Sequence, residues 1–104
     1  MEFGYIKQKV METWKSYFLK FDIENDDYYP MVKLSEEVGE LSEAFLNYKG
    51  KSRPAKSKLK SKDLLKEELA DELSDVIGTV ILMADELGID LEKTIERKWF
   101  DKNK

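Results

Sequence analysis

The chain has no cysteine and no histidine among its 104 residues. Without cysteine there is no disulfide and no thiolate metal site. Without histidine there is no imidazole zinc site and no Glu-x-x-His pair of the di-iron bundles. The usual general base near neutral pH is missing too. Any metal must therefore be a hard cation held by oxygen: Mg²⁺, Mn²⁺ or Ca²⁺. Glycine (5) and proline (2) are scarce, and Leu, Glu and Lys dominate, a balance that favours helix over sheet. No apolar run approaches the roughly 18 residues of a membrane span, and MEFGYIKQKV has no signal-peptide core. A soluble, cytoplasmic protein with no membrane contact is expected.

What the chain has in excess is charge, 38% of residues against 41% hydrophobic ones. Its length suits a single domain over residues 1–104 with one modest core. The net charge of −4 conceals a division. Between Lys49 and Lys62 lie seven basic residues and no acidic one, leaving 11 of the 18 basic residues against all 22 acidic ones, a balance of −11. The segment reads as a flexible loop, either a solubilising connector or a guide for an anionic substrate. It could also bind nucleic acid by counterion release. The acidic body argues against that, and a nucleic-acid partner is not expected.

Apolar residues recur at helical steps in four stretches. Phe3, Ile6, Val10, Trp14, Tyr17 and Phe21 mark a helix over about 3–21. DIENDDYYP interrupts it, and Pro30 suits the first turn of a second helix to about Tyr48, striped by Leu34, Val38, Leu41, Phe45 and Tyr48. A third helix runs from about Asp63 to Leu87, its seam formed by Leu65, Leu69, Leu73, Val76, Val80, Met83 and Leu87. Nearly everything from Leu73 to Ala84 is apolar or small, so this helix should be central. Gly88 is placed to end it, and Asp90 to cap a fourth helix through LEKTIERKWF. The expectation is an all-α, four-helix bundle.

Two acidic segments interrupt these patterns, Glu36-Glu37-Val38-Gly39-Glu40 and Glu72-Leu73-Ser74-Asp75. Glu37 with Glu40, and Glu72 with Asp75, lie one turn apart on a helix face, beside its apolar stripe. Such pairs usually belong to solvated faces, with Lys or Arg at the neighbouring positions. Here Glu40 has Glu36, Glu37, Glu43 and Ala44 at those positions, and Asp75 has Asp71, Glu72, Gly78 and Thr79. Only Glu37 has a cation one turn away, Lys33. Several unpartnered anions at a core edge repel one another, and a divalent cation is the simplest external partner. Antiparallel packing of the second and third helices would bring all four together.

EEVGE followed by ELSD resembles the paired Glu-Glu-x-x-Glu and Glu-x-x-Asp motifs of the all-α nucleotide pyrophosphohydrolases. That superfamily includes MazG, the dCTP pyrophosphatases, the dimeric dUTPases and phosphoribosyl-ATP pyrophosphatase. The strings EEVGELSEAF and EELADELSDVIGTVILMADELGIDLEKTI look MazG-like over most of 34–103, whereas the first thirty residues match only as an amphipathic helix. The resemblance implies a MazG-like bundle that completes its core as a homodimer or tetramer. It implies Mg²⁺ (or Mn²⁺) ligation by Glu37, Glu40, Glu72 and Asp75, and hydrolysis of a nucleoside triphosphate to the monophosphate and pyrophosphate, as in nucleotide-pool house-cleaning. Glu36 is the candidate general base beside Glu37. Trp14, Tyr28 and Tyr29 could stack on a base. Lys98, Lys102 and Asn103, near Arg97, stand where the family carries phosphate-binding residues, although their spacing departs from its pattern. Phosphoribosyl-ATP pyrophosphatase is the alternative enzyme and an interaction or nucleic-acid-binding module the alternative of another kind.

Overall fold

The computed structural model describes residues 2–52 and 59–100. Among them are four helices and no strand: α1 (Phe3–Lys20), α2 (Tyr29–Tyr48), α3 (Lys62–Glu86) and α4 (Leu91–Ile95), the last running on into one π-helical turn, Glu96–Phe100. The chain is all-α, as its composition implied. Most of the basic segment's middle, 53–58, lies outside the described residues, and so do Lys102 and Asn103.

Local chemistry sets the helix ends. The carboxylate of Asp26 accepts hydrogen bonds from the backbone N–H groups of Tyr28 and Tyr29, both at 2.9 Å, which starts α2 ahead of the buried Pro30. Ser61 caps α3 by accepting from the Leu64 N–H at 3.1 Å, and Asp90 caps α4 by accepting from Lys93 N–H at 3.1 Å. Between them Gly88, at φ +66°, supplies the left-handed residue that closes α3.

α3 is the central helix. Tyr48 at the end of α2 meets Lys62 at the start of α3, and Glu37 meets Glu72 and Asp75 in mid-helix, so α2 runs antiparallel to α3. α1 lies antiparallel along the C-terminal half of α3: Lys7 pairs with Asp85 at 3.7 Å, and the Trp14 indole N–H donates to the Gly78 carbonyl at 3.0 Å. Trp14, Tyr17, Phe18 and Tyr29 close the junction of α1 and α2 as an aromatic cluster.

The buried faces are rotated relative to the apolar stripes. On α2 the residues turned inward are Pro30, Leu34, Glu37, Leu41 and Ala44, while Val38 and Phe45 are exposed. On α3, Leu73 and Leu87 of the expected seam are exposed, and the buried residues are Leu65, Thr79, Ile81, Leu82 and Ala84. The reason is geometric. α3 is covered on more than one side, by α2 and α1, so no single stripe describes its burial. On α2, the inward turn carries Glu37 into the interface and leaves Val38 out.

Candidate metal centre

The rotation of α2 builds the site. Glu37 is 7% exposed, which is rare for an ionisable residue without full pairing. One oxygen from each of Glu37, Glu72 and Asp75 lies within 4.8 Å of the others, and the same holds for Glu36, Glu37 and Glu40. Glu37 belongs to both groups and links them across the α2–α3 interface.

Electrostatics oppose this arrangement. Burial raises the pKa of Glu37, with Glu40 adding to the effect and Lys33 partly offsetting it. Burial also raises Glu72, joined by the fields of Glu40, Asp75 and Glu37. Asp75 is raised by desolvation and then by Glu37 and Asp71. Three carboxyls are thus held above their ordinary range by desolvation and mutual repulsion. Lys33 is their one ion-paired neighbour among the described residues, 3.1 Å from Glu36 and 3.5 Å from Glu37. Burial disfavours its charge, but the hydrogen bond to Glu36 and the surrounding anions outweigh that and raise its pKa.

The donor set fits a hard divalent cation. Glu37 Oε2 and Glu72 Oε2 are both buried without a hydrogen-bond partner, a costly state for a carboxylate oxygen. A cation held by this cluster would offset the desolvation and mutual repulsion that raise the three pKa values.

Beside the cluster opens a cleft of about 450 Å³, bounded by Lys9, Val10, Thr13, Trp14 and Tyr17 of α1, Lys33 and Glu37 of α2, and Ser74, Asp75, Gly78 and Thr79 of α3. Its size suits a ligand of nucleotide dimensions. Its lining combines two aromatic rings, Trp14 and Tyr17, with two carboxylates, Glu37 and Asp75, and two lysines. Thr79, buried, donates its hydroxyl to the Asp75 carbonyl one turn earlier on α3, at 2.8 Å.

Of the residues singled out from the sequence, Glu36, Glu37, Glu40, Glu72 and Asp75 come together, and Trp14 forms a wall of the adjoining cleft. Tyr29 stands in the aromatic cluster, and Tyr28 is 77% exposed. Lys98 lies on the exposed π-helical turn and is not a cleft residue. Lys9 and Lys33 are the cations that line the cleft among the described residues. Sequence reasoning did not assign them to the site. The available signal was Lys33 one turn before Glu37 in an otherwise uncompensated acidic run.

A family model described as the MazG-like family matches residues 34–104, which hold both acidic segments. No curated protein and no solved structure matches the chain.

Proposed function

The chain belongs to the MazG-like family, and on that premise we propose that it is a Mg²⁺-dependent nucleotide pyrophosphohydrolase that converts a nucleoside triphosphate to the monophosphate and pyrophosphate. The observation that carries this reading is the carboxylate cluster of Glu37, Glu72 and Asp75, with buried, unpartnered oxygens on Glu37 and Glu72, beside a nucleotide-sized cleft that Glu37 and Asp75 line. Glu37, Glu40, Glu72 and Asp75 would hold the metal. Bound there, Mg²⁺ (or Mn²⁺) would neutralise the triphosphate and polarise the phosphoryl group and its attacking water.

The protein's own residues supply the rest. Glu36, exposed beside Glu37 at the edge of the cluster, stands to accept a proton from water. Trp14, fixed by its bond to Gly78 and stacked on Phe18, offers a rigid wall for a base. A phosphate role for Lys98, Lys102 and Asn103 rests on the resemblance alone. Residues 1–104 act as one domain in this reading, and house-cleaning of the cytoplasmic nucleotide pool is the role that suits it. Among the described residues no helix is long and apolar enough to cross a membrane.

The test is a panel of ribo- and deoxyribonucleoside triphosphates assayed with Mg²⁺ for pyrophosphate release. At least one should be cleaved to monophosphate and pyrophosphate, and chelation should abolish turnover. Undiminished activity in excess EDTA, or inorganic phosphate as the direct product, would rule the reading out.

A further inference from the structure

Lys33 meets two opposing demands. Its side chain is 17% exposed, and it lines the cleft together with Glu37 and Asp75. Its ammonium is bonded to Glu36 at 3.1 Å and lies 3.5 Å from Glu37. In the metal-free protein it is thus the internal counter-ion of the cluster. A divalent cation arriving at Glu37 meets a positive charge already seated beside that carboxylate, and the two repel. A lysine ammonium ends a flexible four-carbon stem and has three donors, so it can leave one anion for another nearby. The open space beside it is the cleft, where a triphosphate would present such oxygens.

We propose that Lys33 is an exchangeable counter-ion: it neutralises Glu36 and Glu37 in the metal-free protein and passes to a phosphate oxygen of the substrate when metal and triphosphate fill the site. The proposal rests on the pyrophosphohydrolase reading. It makes Lys33 a competitor of the metal and a ligand of the nucleotide. Metal and nucleotide then bind with positive coupling, since phosphate accepts the lysine that metal displaces.

The full chain is tested by calorimetric titration with Mg²⁺ alone and with a non-hydrolysable nucleoside triphosphate in saturating Mg²⁺, using the parent and Lys33→Gln. Removing the charge should tighten Mg²⁺ alone by about threefold or more and weaken the Mg²⁺–nucleotide analogue by about tenfold or more. Weakening of both marks a scaffold lysine, tightening of both marks a simple competitor, and either overturns the exchange. Failure of the parent to bind Mg²⁺ at all overturns the pyrophosphohydrolase reading and the exchange with it. A second measurement needs no variant: acylation of Lys33 in the parent, followed by mass spectrometry. Labelling should be slow in EDTA, faster with Mg²⁺ alone, and slow again with Mg²⁺ and the analogue. An unchanged rate across the three conditions overturns the exchange even if Lys33→Gln does not fold.

Discussion

Asp75 follows Glu72 by one turn on α3 and faces Glu37 of α2, and no ion pair reaches it among the described residues. Its raised pKa has desolvation as the leading cause, then Glu37 and Asp71. In metal-free protein this charge is a liability, so Asp75→Asn should melt in EDTA at the parent's temperature or above it. The same variant should lose most of its Mg²⁺-induced rise in melting temperature and about 100-fold or more of its activity. A structural aspartate would behave the opposite way, with a weaker apo protein and an intact metal response. The raised pKa values of Glu37, Glu72 and Asp75 also set a pH dependence. Between the ordinary carboxylate range, about pH 4, and the raised values, the folded metal-free chain binds more protons than the unfolded chain. Its stability therefore falls as pH rises through that window and recovers as pH drops back into it. Mg²⁺ competes with those protons, so its stabilising effect should shrink on acidification. Melts in EDTA just above the ordinary carboxylate range should equal or exceed those at neutral pH, with the Mg²⁺ increment larger at the higher pH. A metal-free protein that steadily loses stability over that descent would contradict the assignment.

α1 is joined to α3 by the Lys7–Asp85 ion pair and, further along, by the part-buried hydrogen bond from the Trp14 indole N–H to the Gly78 carbonyl. Trp14→Phe keeps an aromatic ring beside Phe18 and Tyr29 but removes the donor. The part-buried carbonyl loses that bond, at a cost of about 1 kcal/mol. In a Trp99→Phe background, where Trp14 is the single indole, binding of a nucleotide analogue should quench its fluorescence; an unaffected emission would remove Trp14 from the substrate wall. Gly78 offers a stability gain on the same helix. A Cβ there would meet only Val10 Cγ1, at an ordinary 3.9 Å. Gly78→Ala should raise stability by about 1 kcal/mol through helix propensity, read as a higher denaturant midpoint at unchanged m-value. A lower midpoint would mean that α1 packs more tightly on α3 than this contact allows.

The single chain leaves apolar surface uncovered. Val38 (44% exposed) and Phe45 (49%) on α2, with Leu73 (49%) and Ile77 (58%) on α3, occupy by helical phase the flank away from the carboxylates. The radius of gyration is 16.5 Å, against about 13 Å for a compact chain of this length. Both observations support the proposal that the protein is a homo-oligomer, with copies packed through this flank. Light scattering at micromolar concentration should return two or four chain masses, and Phe45→Glu should lower that mass. A monomeric parent would refute the assembly.

The helices and their ends were legible in the sequence because their causes are local. Pro30 in a first turn, Asp90 as a cap, and Gly88 at φ +66° act within a few residues of where they stand. The restriction to an oxygen-ligated metal was also legible, since it follows from residue types that are missing. So was the pairing of the two acidic motifs, signalled by three-residue spacing beside the apolar stripes and by the missing counter-charges around them. Tertiary structure decided the rest. The phase of α2 against α3 put Glu37 inside and Val38 and Phe45 outside, against their order of hydrophobicity. Helical phase is settled by the summed contacts of three helices, which a stripe on one helix does not contain. The same packing set Lys33 and Lys9 on the cleft wall and left Lys98 on an exposed turn, because a cleft exists only where separate helices meet.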